Sequence, residues 1–144
     1  MRIVAGQYRG RRLAAPRGIE LDRQAADMVS RNIDATVSGD RSGIHLHRKD
    51  ALRALHALSA DGLHFDLVIF DPPYERTREL VSACAVALPS VLHAGSRVVL
   101  ELATRHAGIE AEAAEAWSCD VLTTRTYGDT TIAVLAPSPG HNDR

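Results

Sequence analysis

The sequence predicts an α/β fold: a mostly parallel sheet with helices over both faces, closed by an antiparallel hairpin at the carboxyl end. Three observations lead there. Short β-prone runs alternate with segments whose apolar residues recur at helical spacing, the order that builds strand–helix–strand units. Phe65-Asp66-Leu67-Val68-Ile69-Phe70 is apolar with little alternation, as a strand buried on both faces requires. Two final β-prone runs, 119–127 and 130–135, are separated by Gly128-Asp129, a pair suited to a tight hairpin turn.

Taken in order, Arg2-Ile3-Val4-Ala5 and Arg11-Arg12-Leu13-Ala14 flank Gly6 and Gly10 and read as a hairpin. Gly18-Ile19-Glu20-Leu21 is brief and apolar, and Asp22 suits the amino-terminal cap of a helix. From Arg23 to about Ala35, the positions Ala25, Ala26, Val29 and Ile33 recur at helical spacing. Residues 44–47 form a short strand. Asp50 then opens a helix carrying Leu52, Leu55 and Leu58, closed by Gly62. The buried strand Phe65–Phe70 follows, then a helix over 75–88 with Leu80, Val81, Cys84, Ala85 and Leu88 inward. A strand over 96–102 and a short helix from Ile109 to Trp117 precede the closing hairpin. Three parts are expected: a basic hairpin over 1–18, a body over 19–136, and a frayed polar tail over 137–144.

The chain has 144 residues, enough for one domain with a real core. Its 45% hydrophobic and 24% charged composition is that of a soluble globular protein. It contains no apolar run of the roughly 18 residues a membrane span needs, and Met1–Gly6 lacks the features of a secretory signal. Cys84 and Cys119 fit no metal or redox spacing and read as buried free thiols in a reducing compartment. The seven histidines are scattered. His45 and His47 share one face of a strand, read as solvated rather than metal-binding, and no metal is expected. The net charge is −1, but residues 1–18 hold Arg2, Arg9, Arg11, Arg12 and Arg17 without an acid, so +5 there leaves −6 on the rest. Such an arm suits a phosphate backbone; basic residues also protect a solvated strand edge from aggregation.

Asp71-Pro72-Pro73-Tyr74 directly follows the buried run. Ligands of open α/β sheets sit just outside the carboxyl ends of the strands. The prolines fix φ near −65° and remove two backbone donors, and the residue before each is held extended. The loop can therefore receive a planar base bearing an exocyclic amine: Asp71 and a backbone carbonyl accept its protons, and Tyr74 stacks on its face. The same residues could also be a plain strand-ending turn.

Together the α/β order, Asp71-Pro72-Pro73-Tyr74 and the closing hairpin resemble a Rossmann-like class I methyltransferase using S-adenosyl-L-methionine. More narrowly, the chain resembles the bacterial 16S rRNA guanine-N2 methyltransferase family (the RsmD type). The resemblance rests on Met1–Leu13, on Asp71–Tyr74 and on Tyr127-Gly128-Asp129-Thr130, and covers residues 1 to about 135. It implies that Asp71, Pro72, Pro73 and Tyr74 form the catalytic loop and that Glu20 holds the cofactor ribose. It implies that Asp50, with Ala51 after it, meets the adenine amino group, and that Arg2, Arg9, Arg11 and Arg12 grip RNA. By its residues alone Asp50 suits a helix cap, a role compatible with the other. The resemblance further implies a cytoplasmic, monomeric enzyme acting on 16S rRNA or a small-subunit assembly intermediate, with no membrane partner.

One departure stands out. The family's glycine-rich cofactor loop is absent between Pro16-Arg17-Gly18 and Ile19-Glu20, so the hairpin runs straight into what matches the second strand. A strand–helix–strand unit takes about 30 residues or more. The expectation is a sheet lacking its first strand and helix, with its neighbours' ladder bonds open. Two other readings remain: a non-catalytic RNA-binding remnant of such an enzyme, and a DNA adenine-N6 methyltransferase, whose chemistry also uses Asp-Pro-Pro-Tyr.

Overall fold

The computed structural model describes residues 1–9, 12–36 and 43–140. The strands are β1 (Arg2–Arg9), β2 (Arg12–Glu20), β3 (His45–His47), β4 (Phe65–Asp71), β5 (Leu92–Ala103), β6 (Cys119–Tyr127) and β7 (Thr130–Pro137). They form one sheet in the order β3-β2-β1-β4-β5-β7-β6. Helices α1 (Arg23–Thr36), α2 (Ala51–Ala60), α3 (Thr77–Ala83) and α4 (Ile109–Ala116) follow β2, β3, β4 and β5 in turn.

The α/β class and both hairpins are as the sequence predicts, but the sheet is mixed. The β2–β3 and β4–β5 pairs are parallel, whereas β1 runs against β2 and β4, and β7 against β5 and β6. The expected gap at the first strand does not exist, because β1 fills it. Arg2–Ala5 pair with Glu20–Arg17 on one side, and Arg2–Gly6 with Asp71–Leu67 on the other. The physical reason is the cost of about 1–3 kcal/mol for each buried backbone group left unpaired, which the hairpin removes by lying inside the sheet. The expected boundary at residue 18 therefore falls within the unbroken strand β2. Between Ala5↔Arg17 and Gln7↔Ala14 the register shifts, so Ala15 and Pro16 face Gly6 alone. A bulge is where a proline, lacking its N–H, can sit in an internal strand.

Local signals account for the helices. Asp50 caps α2 by accepting from the Arg53 N–H at 3.1 Å. Gly62, at φ 69°, ends it in a Schellman motif, with Leu63 N–H donating to Leu58 O and Gly62 N–H to Ser59 O. The helix expected over 75–88 is shorter: 74–76 form a 3₁₀ turn, α3 stops at Ala83, and 84–88 continue as turns up to Pro89. The strand expected over 96–102 begins earlier, at Leu92, and β7 runs on to a buried Pro137. Residues 141–144 of the expected tail lie outside the described residues.

The core lies on one side of the sheet. Ile19, Ile3, Phe70, Leu100 and Ala133 form a cross-strand row that is fully buried, and Val68, Val98 and Leu135 lie in the next such row. Leu55 and Leu58 of α2, Val81 of α3 and Ala113 of α4 pack with them. Trp117 closes this layer, with its ring edge-on to Phe70 at 5.0 Å between centroids and its Nε1–H donating to Val81 O. Alternation sends the intervening row (Gly18, Val4, Ile69, Val99, Val134) to the other face, where each residue is half-buried and none belongs to the core cluster. Two covered faces were expected. A hairpin joins β1 to β2 where a parallel crossover would have brought a helix, so the middle of this second face stays open. Among the described side chains of α1 only Ala26 is fully buried, and Met28 is exposed.

Candidate functional site

Strands β2, β3, β4 and β5 point the same way, so their carboxyl ends gather at one edge together with the starts of β1 and β7. Every described candidate from the sequence except Arg9 and Arg12 lies along this edge. Asp71 is the last residue of β4, and Glu20 the last of β2. Arg2 pairs with Glu20 on one side and Asp71 on the other, so the three side chains form one cross-strand row on the open face.

The electrostatics follow from that register. Glu20 is 6% exposed, and a buried carboxylate requires partners. Its Oε1 accepts from the Asp22 N–H at 3.1 Å, and its Oε2 stands 3.5 Å from Arg2 Nε. Arg2 also reaches to 3.9 Å from Asp71 Oδ2. Met1, Arg2, Glu20, Asp71, Pro72 and Pro73 line an open depression of about 210 Å³. A second one, about 470 Å³, lies beside it between Leu21, Arg48, Lys49, Asp50 and Arg53. Asp22 caps α1 through Ala25 N–H at 2.7 Å. Asp50 performs its capping role with Oδ1; Ala51 behind it is buried.

The Asp71–Tyr74 loop is held from beneath and from the side. Pro72 is buried and Pro73 exposed. The buried Thr77 hydroxyl bonds the carbonyls of Pro73 and Tyr74, and Arg76 N–H donates to Pro73 O at 2.9 Å. The Tyr74 hydroxyl meets Thr130 Oγ1 at 2.9 Å and donates to Glu101 Oε1 at 3.3 Å. Glu101 was not singled out in the sequence, and Thr130 only as part of the closing hairpin. Glu101 interrupts an apolar run; the pairing of β4 with β5 brings it to the tyrosine, and that of β5 with β7 adds Thr130. The closing turn is fixed to the same place: Thr104 N–H donates to Asp129 O at 2.8 Å and its hydroxyl to Gly128 O at 3.2 Å. Gly128, at φ 59°, sits first in that turn, as a type II′ hairpin requires.

The basic candidates separate. Arg2 lies among the acids. Arg9 and Arg12 are paired residues of the β1–β2 ladder, away from this edge, and Arg11 lies outside the described residues. On the edge strand β3, His45 is exposed and His47 half-buried, with Arg17 Nη1 3.4 Å from His47 Nε2. Burial, then the charges of Arg17, Lys49 and His45, lower the His47 pKa from its usual value. Among the described residues no group of His, Cys, Asp or Glu could hold a metal ion. No described helix is long and apolar enough to cross a membrane.

A sequence model of the family described as conserved hypothetical protein 95 matches residues 18–136. The chain belongs to that family. No match is found among curated proteins. Solved structures share this fold. A conserved hypothetical protein from Streptococcus pyogenes superposes with a TM-score of 0.67 at 24% identity, over 83% of this chain and 69% of that one. A candidate methyltransferase from Escherichia coli, yhhF, gives 0.59 at 17%, over 83% and 60%. SMU.776, a candidate methyltransferase in complex with SAH, gives 0.63 at 11%, over 82% and 38%. The chain thus spans between 38% and 69% of the length of these three proteins.

Proposed function

We propose that this chain carries the base and cofactor sites of an S-adenosyl-L-methionine-dependent methyltransferase acting on the exocyclic N2 of a guanine in 16S rRNA. The observation that carries the reading is the meeting of Glu20, Asp50 and the Asp71–Tyr74 loop along one sheet edge. The donor set suits the ligand: the Glu20 carboxylate can accept from both ribose hydroxyls, and Asp50 offers an acceptor for an adenine amino group. SMU.776 was solved with SAH, which supports a cofactor of that class in the shared fold.

When bound, the cofactor supplies an electrophilic methyl group on a sulfonium and leaves as a neutral thioether. The guanine amine is a poor nucleophile because its lone pair is delocalised into the ring. Asp71 accepts one amine proton and localises the pair. The Pro73 carbonyl is engaged by Arg76 and Thr77, which leaves the Pro72 carbonyl to join it. Tyr74, held through Thr130 and Glu101, stacks on the base, an interaction worth about 1–3 kcal/mol. The base must leave its stack to enter, and Arg9, Arg11 and Arg12 hold the flanking phosphates.

Asp71→Ala should abolish tritium transfer from the cofactor to 16S rRNA while RNA binding stays close to wild type. Equal loss of both would refute the role given to Asp71. A second reading is favoured by one observation: β1 stands where the strand leading to the glycine-rich loop is expected. A folded protein that binds rRNA but neither the cofactor nor SAH would be a non-catalytic RNA-binding remnant. Transfer to DNA adenine in place of rRNA would point to the DNA enzyme.

A further inference from the structure

We propose that Arg2 is a built-in competitor for the nucleoside ligand, occupying Glu20 in the free protein and leaving it when the ligand binds. The inference rests on the cofactor reading given above and adds to it how that site is guarded. Three observations support it.

The contact is set by the register. Arg2 lies opposite both Glu20 and Asp71 in the antiparallel ladders, so its side chain emerges between theirs on the same face. Both Glu20 oxygens are engaged, Oε1 by the Asp22 N–H and Oε2 by Arg2. A diol needs those acceptors, and one of them is held by the guanidinium. Finally, the depression at Glu20 and Asp71 measures about 210 Å³ with Arg2 in its lining, below the ≈ 300 Å³ at which pockets for small organic ligands begin. The Arg2 side chain is 44% exposed against 8% for Glu20, so the arginine is the partner free to move. Outside, its charge is hydrated; inside, it satisfies a carboxylate that would otherwise be buried alone.

The competitor and a merely structural ion pair make opposite predictions for Arg2→Ala. The variant leaves Glu20 short of a partner, so the free protein should melt at a lower temperature than wild type. A ligand that supplies the missing donors should then bind more tightly. Partly exposed ion pairs set the scale, and SAH should bind about two- to fivefold tighter by calorimetry. Raising the salt should strengthen SAH binding to wild type, by screening the pair, and leave the variant nearly unchanged. A lower melting temperature with equal or weaker SAH binding would overturn the competitor while leaving the cofactor site standing. Absence of SAH binding to both folded proteins, at low and high salt, would instead overturn the cofactor reading and the competitor with it. Arg2→Lys, keeping a cation on a different stem, should fall between wild type and Arg2→Ala if the charge is what competes.

Discussion

Ile69 and Phe70 are neighbours in β4, flanked on both sides by β1 and β5, and they test the one-sided core directly. Their backbones sit in the same double ladder; only the face differs. Phe70 is fully buried and meets Trp117 edge-on. Ile69 is half-buried on the open face. Truncating a buried Phe to Ala costs about 3–5 kcal/mol, and a buried Ile about 2–5. Since Ile69 keeps part of its surface in water and leaves no closed cavity, about 1–2 kcal/mol is expected there. A gap of roughly 2–3 kcal/mol between Phe70→Ala and Ile69→Ala should follow. With a urea slope of about 1–3 kcal/mol/M, the two midpoints should differ by at least about 0.7 M, the phenylalanine variant being the weaker. Phe70→Leu provides a milder core variant if Phe70→Ala does not fold. Equal losses at the two positions would mean that a packed layer covers Ile69, and the account of the open face would be wrong.

Burial pushes the Cys84 and Cys119 thiols up to about 11, with nearby Asp50 and Asp120 adding to the effect. Both should resist alkylation at pH 8 in the native protein and react on unfolding; fast native labelling would refute their burial. Because their protons are held more tightly when folded, the stability they contribute is whole below about 9 and falls as the pH rises toward about 11; a flat alkaline stability profile would contradict this. His47 titrates in the opposite sense. Its lowered pKa favours the neutral ring in the fold, so its contribution is present above the ordinary histidine value of 6.5 and lost as the pH falls through the folded value. Arg17→Gln should raise that value in a proton NMR titration of the ring; an unchanged curve would remove Arg17 from the causes.

What could be read from the sequence was what is decided locally. Asp50 and Gly62 bracket a helix because a carboxylate and a left-handed glycine each satisfy helix-end groups within a few residues. Gly128-Asp129 marks its turn for the same reason, and Phe65–Phe70 announces a central strand by composition. The Asp71–Tyr74 loop was legible because two prolines fix the backbone on the spot. The rest depends on distant partners. Nothing in Arg2–Ala5 says that it lies between β2 and β4, because that place is available only when no other strand fills it. The bare second face follows from the same choice, and periodicity within one helix cannot reveal which side of the sheet lacks a cover. Tyr74 was singled out for its ring. Its hydroxyl partners Thr130 and Glu101 come from strands later in the chain, and only the completed sheet unites them.

The position of β1 also shapes the order in which the molecule can assemble. The segment that ends up near the middle of the sheet precedes every other strand along this chain. Its hairpin partner arrives within a few residues, but its other neighbour, β4, is made only after β3 and two helices have passed. Until Phe65–Asp71 emerges, one edge of the hairpin waits unpaired. Closing so long a loop is an entropic cost met before any contact repays it. Refolding from denaturant should therefore wait on the meeting of β1 with β4, and the chain's first few residues should be among the last to gain protection from hydrogen exchange.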